Sequence, residues 1–418
     1  IVAACLYKNV RNATERREPL KYLIVLGDGM ADEPLERLHG KTPLAAAHTP
    51  MLDALARKSE IGTVRTVPDG VPVGSDTANL SILGYPPERY YTGRAPLEAL
   101  GLGVHMNKND IVLRANLVTL GTEAAAFSQC VLLDHSADEI STDEAAILMD
   151  VIRSEFENSD ISFHTGTGYR HLLCWHNGEL PVLAQPHDHL GEPIGAYLPP
   201  QPLLRELMRK SHAILDKHPV NQARQARGLH KANGLWFWGA GTPMQLPPFQ
   251  EQTGKRGVMV SATDLLHGIA AGIGLESVTV SGADGSLHTN FTGKALAAVQ
   301  ALREGADFAF VHLEAPDEMG HQGDAQRKMQ AISFIDQQVI ATVFRELCAT
   351  GEAFRLLVLP DHATPVRCRT HTRTPVPYLL YDSTRTGWHA RQQYNEAQAQ
   401  YGRYFPTGSA LLAHFLQK

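Results

Sequence analysis

The residues with chemistry to offer sit in a few short stretches. Asp28 closes the run Tyr22-Leu-Ile-Val-Leu-Gly-Asp28. Ser75 lies in Pro72-Val-Gly74-Ser75-Asp76-Thr77. The densest signal comes late, where Glu314-Ala-Pro-Asp317-Glu-Met-Gly-His321 is followed by Asp361-His362 and then His371. Carboxylate and imidazole donors together suit Mn2+, Zn2+, Co2+ or Mg2+ rather than soft metals. Asp28, Asp317, His321, Asp361, His362 and His371 are enough for two ions. Any one of them reads equally well as a helix cap or a satisfied loop group; it is their joint occurrence that favours a metal site. Ser75 also has two readings. It is a suitable N-cap before a helix. Spacing alone favours that cap, but the metal-type donors elsewhere support a second reading, an alkoxide nucleophile at a helix N-terminus, where partial positive charge and free N–H groups favour a phosphoryl group and a metal ion would supply the activation.

These residues need a scaffold, and the sequence supplies one. Tyr22 to Leu26 reads as a buried parallel strand with an acid at its carboxyl tip. Asp307 to Leu313 and Phe354 to Pro360 are similar short apolar runs, as is Ser277 to Ser281. Helical patterns cover Thr263 to Ala271, Gly293 to Arg303 and Ala325 to Cys348, and Pro50 to Lys58 reads as a short helix with Thr49 as N-cap. Strand and helix in alternation mean an α/β sheet covered on both faces. Asp28, Asp317, Asp361 and His362 then stand at the carboxyl ends of parallel strands, where open sheets hold their ligands.

From about residue 95 to 232 the pattern changes. His, Pro and loop residues are denser; Ile111 to Leu120 and Ser128 to Leu133 read as strands, Thr142 to Glu155 and Pro202 to Leu215 as helices. This predicts an inserted α+β domain at 95–232, a core formed by 21–94 and 233–418 that resumes at Leu235-Trp-Phe-Trp238, and an extension at 1–20 of no assigned status.

Composition narrows the function classes. The 418 residues include 38 Lys+Arg and 44 Asp+Glu, for a net charge of −6, which argues against a dedicated nucleic-acid binder. No apolar run approaches the roughly 18 residues of a membrane span. The five scattered cysteines, without a CxxC, fit a reducing cytoplasm rather than a disulfide framework or a Cys-type zinc site. Gly27-Asp-Gly29 lacks the third glycine of a dinucleotide fingerprint. Gly40-Lys41-Thr42 has Leu35 where the first P-loop glycine belongs.

Seven motifs in order, LGDGMADEP, GKTPLAAAHTPMLDALA, PVGSDTANLSILGY, TGRAPLEALGLGV, TGTGYRHLL, EAPDEMGH and LPDHATP…HTRTPVP, resemble the cofactor-independent phosphoglycerate mutases of the archaeal type, metalloenzymes of the alkaline phosphatase superfamily. The resemblance covers about residues 21 to 418. It implies an alkaline-phosphatase-like doubly wound α/β core with an inserted lid domain. It also implies two divalent ions, Mn2+ first, with Mg2+, Co2+ or Zn2+ as alternatives. By motif position, Asp317, His321 and His371 resemble the ligands of one ion. Asp28, Ser75, Asp361 and His362 resemble those of the other, with Ser75 transiently phosphorylated. The substrate class implied is a small phosphorylated carboxylic acid, for which the insert offers Arg114, Arg170 with His171, and Arg224. Each arginine also reads as a solvated surface charge, His164 is a further lid candidate, and Pro186-His-Asp-His189 reads as a polar turn. Some bacterial relatives are proposed to phosphorylate homoserine, which is one rival reading. A metal-dependent phosphatase and a non-catalytic metal-stabilised protein are the others.

Overall fold

A computed structural model of the chain describes residues 20–121, 126–385, 387 and 392–417. All but the last residue of the extension expected at 1–20 lie outside the described residues. The chain divides into two compact units. One runs to Tyr91 and resumes at Leu246; the other is Thr92–Gln245.

The first unit is built on an eight-stranded sheet. Its middle is a parallel block in the order Phe354–Leu359, Lys21–Gly27, Phe308–Leu313, Gly257–Val260 and Glu276–Val278. Val376–Asp382 adds antiparallel to this block, Ser59–Val64 adds antiparallel to that strand, and Arg403–Phe405 closes the edge. The central strand, KYLIVLG, is buried at every position, as expected of a parallel strand covered on both faces. On one face Leu23 and Val25 belong to the same core as Phe291, Ala295 and Val299 of the helix Phe291–Arg303. On the other, Tyr22 packs edge-on against Phe415 of the C-terminal helix, ring centres 5.5 Å apart. This is the predicted α/β class.

Local structure departs from expectation at the long helix. Ala325–Phe334 passes through a π-helical turn, Ile335–Ile340, before Ala341–Thr350. The π turn carries Asp336, whose buried carboxylate accepts the N–H groups of Met51 (3.2 Å) and Leu52 (2.6 Å). That carboxylate caps the helix Pro50–Ala56, and Thr49 contributes no side-chain cap. The strand expected at Ser277 to Ser281 is only Glu276–Val278.

The second unit holds a five-stranded antiparallel sheet centred on Ile111–Leu120. Arg170–Trp175 pairs along it, Ile161–His164 pairs with Arg170–Trp175, and Leu132–Asp134 joins its end. The segment expected as a strand at Ser128 to Leu133 begins instead as a 3-10 turn, Phe127–Gln129. The expected return to the first domain at residue 233 is corrected. Gly234–Gly241 pairs with Ile111–Leu120, from Val118↔Gly234 to Val112↔Gly241, and buries Trp236, Phe237 and Trp238 in the second core. An apolar run announces a buried strand but not which sheet will take it. Among the described residues no helix is long and apolar enough to cross a membrane.

Candidate active site

Strand ends position the site. The central strand delivers Asp28, its neighbours deliver Asp317 just after Leu313 and Asp361-His362 just after Leu359. The turn after Asp28 is tight. Gly29 has φ +58°, and a Cβ there would lie 2.4 Å from Asp317 Oδ1 and 2.5 Å from Thr364 Oγ1, so only glycine lets the strands' tips approach this closely. Its N–H donates to Asp361 Oδ1 (3.1 Å).

Ser75 is the first residue of the helix Ser75–Ile82, and the N-cap is Gly74. The capping reading of Ser75 therefore fails: no side-chain cap bond is made. Its Oγ instead stands 3.1 Å from His362 Nε2 and 3.5 Å from Asp28 Oδ2. The loop before it is held by the Thr77 hydroxyl, which donates to the Pro72 carbonyl (2.8 Å). Asn79, one turn on, donates to the Ser75 carbonyl (2.8 Å) and to Asp361 Oδ2 (3.1 Å).

The expected ligands assemble as two overlapping groups, Asp28 with Asp361 and His362, and Asp317 with His362 and His371. His321 joins the second, its Nε2 lying 3.1 Å from Asp317 Oδ2 and 3.0 Å from His371 Nε2. His362 and His371 stack with ring centres 4.0 Å apart. All seven sequence-predicted residues thus come together.

Hydrogen bonds set the tautomers. Thr364 Oγ1 donates to Asp317 Oδ1, so it accepts from His362 Nδ1 (3.2 Å), leaving the Nε2 lone pair aimed at Ser75 and Asp28. His321 Nδ1 donates to the Arg369 carbonyl (3.0 Å), which aims its Nε2 at Asp317.

The electrostatics call for cations. Burial pushes Asp28 well above the usual carboxylate range, and the carboxylates of Asp361 and Asp317 add to it against the pull of His312. Its Oδ1 is buried without a hydrogen-bond donor. Burial lowers His362 to about 4, keeping it neutral. Burial also opposes charge on His321, but Asp317 outweighs it and raises His321 to about 9. Asp317 itself falls well below its usual range because the contacts from His321 and His371 overcome its burial. An orphaned carboxylate oxygen beside a neutral imidazole lone pair, with carboxylates and imidazoles converging around them, is a donor set that suits a divalent ion. The donor set fits the group that the resemblance implies.

Sequence reasoning missed the support behind Asp28. His312 Nε2 lies 3.1 Å from Asp28 Oδ2, and its Nδ1 3.0 Å from Glu314 Oε1. Glu314 is in turn paired at 2.8 Å with Lys294, which is wholly buried. Burial opposes charge on His312, but Glu314 and Asp28 raise it to about 10. The one sequence signal was Lys294, a charge inside the apolar stripe of Phe291, Ala295, Ala298 and Leu302. Asp32 and Lys328, also buried, pair at 2.8 Å beneath the same turn. Thr42, in the motif rejected as a P-loop, caps Pro43–Ala46 by accepting from Ala45 N (3.0 Å).

In the second unit the substrate candidates separate. Arg114 is buried with Nε 3.1 Å from Glu98 Oε2, and its guanidinium lies 4.3 Å from the centre of the Trp238 ring. Arg94, not anticipated, shares Glu98 at 3.0 Å. Registry pairs Asn116 with Arg170 and Arg114 with Leu172, so Arg114 and Arg170 share a face of the sheet. His171 is corrected: alternation turns it to the opposite face with Leu113 and Leu173, where it is wholly buried, accepts from Gly166 N (3.2 Å) and is lowered by burial to about 3. Arg224 is corrected as well. It is buried, and its three nitrogens bond the His230 carbonyl, the Ala137 carbonyl and Glu144, so it ties its own unit together. His187 and Asp188 lie in or beside a 3-10 turn, and His189 stacks on Tyr197 at 3.8 Å, in keeping with a polar turn.

Comparison with known proteins follows the same line. The family model for 2,3-bisphosphoglycerate-independent phosphoglycerate mutase matches residues 56–221. A Methanosarcina barkeri protein named 2,3-bisphosphoglycerate-independent phosphoglycerate mutase is 42% identical over 388 residues, 92% of this chain and 96% of its own length. One from Geobacter sulfurreducens, named as a probable enzyme of this kind, is 43% identical over 87% of this chain and 90% of its own. A solved structure of a Pyrococcus horikoshii protein superposes with a TM-score of 0.75 at 28% identity, covering 95% of this chain and 97% of that one. The cofactor-independent phosphoglycerate mutase of Thermoplasma acidophilum shares the fold, with a TM-score of 0.61 at 24% identity over 95% of this chain and 99% of that one.

Proposed function

Since the chain belongs to the family of 2,3-bisphosphoglycerate-independent phosphoglycerate mutases, we propose that it interconverts 3-phosphoglycerate and 2-phosphoglycerate through a phosphoserine at Ser75. The observation that carries this reading is Ser75 Oγ standing 3.1 Å from the bare Nε2 of His362 and 3.5 Å from Asp28, at the tip of a helix.

Asp28, Asp361, His362 and Ser75 would hold one divalent ion, and Asp317, His321 and His371 the other, Mn2+ being the first choice. Such ions would lower the serine hydroxyl's pKa and neutralise charge on the phosphoryl oxygens. Ser75 Oγ attacks phosphorus in line; the bond from phosphorus to the glycerate oxygen breaks as the bond to Oγ forms, and the serine proton ends on the departing glycerate oxygen. The glycerate then turns so that its other hydroxyl attacks the phosphoserine, restoring Ser75. The His312–Glu314–Lys294 chain holds Asp28 in place behind the nucleophile. Arg114 and Arg170, as cations of the second unit, fit the acid's carboxylate and phosphate. A lid role for that unit supplies the water exclusion that separates a mutase from a phosphatase. A cytoplasmic home belongs to the same reading.

The decisive experiment is a coupled assay of purified protein with 3-phosphoglycerate, without 2,3-bisphosphoglycerate, and separately with homoserine and ATP. Product 2-phosphoglycerate in the first alone is the expected result. Activity confined to the second overturns the assignment.

A further inference from the structure

The second unit contains a cluster that the proposed mutase reaction does not use. Asp110 stands just before the strand Ile111–Leu120, Cys174 is paired in register with Val112, and His176 follows the end of Arg170–Trp175. Alternation puts the three side chains on one face, over the small apolar patch of Ala95, Ala99 and Leu172. His176 Nδ1 lies 3.0 Å from Asp110 Oδ1 and 4.0 Å from Cys174 Sγ, and all three donor atoms fall within 4.8 Å of one another. Asp110 and Cys174 are 2% and 1% exposed, while the His176 side chain is 29% exposed.

Two features decide between a proton relay and an ion site. A thiol–imidazole–carboxylate relay needs the thiol on one ring nitrogen and the carboxylate on the other. Here both face the same nitrogen, Nδ1, so no relay runs through the ring. Three donors converging on one point is the requirement of a metal ion. For a tetrahedral zinc with ordinary bond lengths, the donor separations come to about 3.4 Å for N···O and about 3.6 Å for S···N, each within half an ångström of what is found.

The surroundings complete the pattern. Asp110 Oδ2 is fixed by Asn107, accepting from its backbone N (2.7 Å) and its side-chain amide (3.1 Å), leaving Oδ1 to face the cluster. The other ring nitrogen of His176 lies 3.5 Å from Ser162 Oγ, which is also 3.3 Å from His164 Nε2. Ser162 can take the Nε2 proton of His176 once Nδ1 serves as ligand, the kind of outer contact that orients metal-bound histidines.

We propose that Asp110, Cys174 and His176 form a second, separate metal site for a borderline transition ion of the Zn2+ or Co2+ class, with an open position on the half-exposed side of His176. A thiolate donor sets it apart from the oxygen- and imidazole-only site of the first unit and disfavours Mg2+ and Mn2+. Burial pushes the Cys174 thiol up to about 12, with Asp110 adding to it. The thiolate is the ligand form, so ion binding expels the thiol proton.

The test uses the full chain, stripped with chelator and titrated with Co2+ while the near-ultraviolet sulfur-to-cobalt charge-transfer band is followed. The first-unit site cannot produce this band, since no cysteine is among its donors. The wild-type protein is expected to show the band and to bind one more ion per chain than Cys174→Ser, which loses the band. Ser162→Ala, which keeps all three ligands, is expected to retain the band with roughly 10- to 100-fold weaker Co2+ affinity. Should Cys174→Ser fold poorly, His176→Gln gives the same reading, with the band lost while the thiol stays. No band in the wild type, or a band that persists in Cys174→Ser and His176→Gln, overturns the site and leaves the cluster as a turn held by Asp110.

Discussion

Ser75 Oγ and His362 Nε2 stand 3.1 Å apart although 287 residues separate them in the chain. The contact exists because the helix beginning at Ser75 and the strand ending at Leu359 deliver their tips to one point, and because Thr364 fixes the His362 tautomer from behind. A nucleophile and a lone-pair donor held this way explain what should follow when either is disturbed.

Ser75→Ala should abolish turnover and leave the fold intact. The Ser75 side chain makes no cap bond and loses only its contacts to His362 and Asp28, so the stability change should stay near that of a single hydrogen bond, about 0.5–1.5 kcal/mol. Thermal unfolding and the coupled assay on the same preparation check both halves. Near-normal turnover would mean that another group takes the phosphoryl.

Chelation should remove activity, and Mn2+ should restore it. It should also lower the melting temperature, because Asp28, Asp361 and Asp317 then repel one another without a cation; an ion held at 100 times its Kd stabilises by about 2.7 kcal/mol. Full activity after chelation, with no metal found by elemental analysis, would remove the two-ion reading.

Glu314→Gln should destabilise strongly. It leaves the wholly buried Lys294 facing only the His312 carbonyl and a neutral amide. Breaking a buried pair from one side costs about 3–5 kcal/mol. Denaturant unfolding measures it, and a loss below about 1 kcal/mol would show that the pair is not the anchor described here.

Asp336 gives a pH dependence away from the metal ligands. Burial raises its carboxyl to about 6 from 3.8, against the pull of the Leu52 and Met51 N–H groups. The folded protein therefore binds this proton more tightly than the unfolded chain. Stability associated with it is greatest below pH 3.8 and is lost as pH rises through about 6, by about 3 kcal/mol at most. Asp336→Asn cannot titrate, so its stability relative to wild type should improve across that window. A difference that stays flat with pH would place the Asp336 pKa near its ordinary value.

Arg170→Ala should lose isomerisation more than it loses phosphate release. A buried charge-assisted contact to substrate is worth about 2–5 kcal/mol, or roughly 30- to several-thousand-fold in rate. The ratio of free phosphate to isomerised product should rise. An unchanged ratio with unchanged KM returns Arg170 to a surface role.

The residues proposed as metal ligands and as nucleophile were legible in the sequence because local signals mark them. Asp28, Asp317 and Asp361-His362 each follow a short apolar run, and parallel strands bring such ends to one edge by construction. Alternating strands and helices announced the α/β core for the same reason: periodicity is a local property. What the sequence could not say was who pairs with whom. Leu235–Trp238 read as the return to the first domain, and only the hydrogen-bond register placed it in the second sheet. Arg170 and His171 are neighbours in the chain, and strand alternation sends them to opposite faces. Arg224 read as a substrate cation or a solvated surface charge until the fold wrapped it in two carbonyls and Glu144. Asp110, Cys174 and His176 form no sequence motif at all; a cross-strand pair assembles them. Residue type and spacing determine which groups can do chemistry and which segments must be buried. The long-range partners that orient, neutralise or occupy those groups are chosen only when the strands find their register.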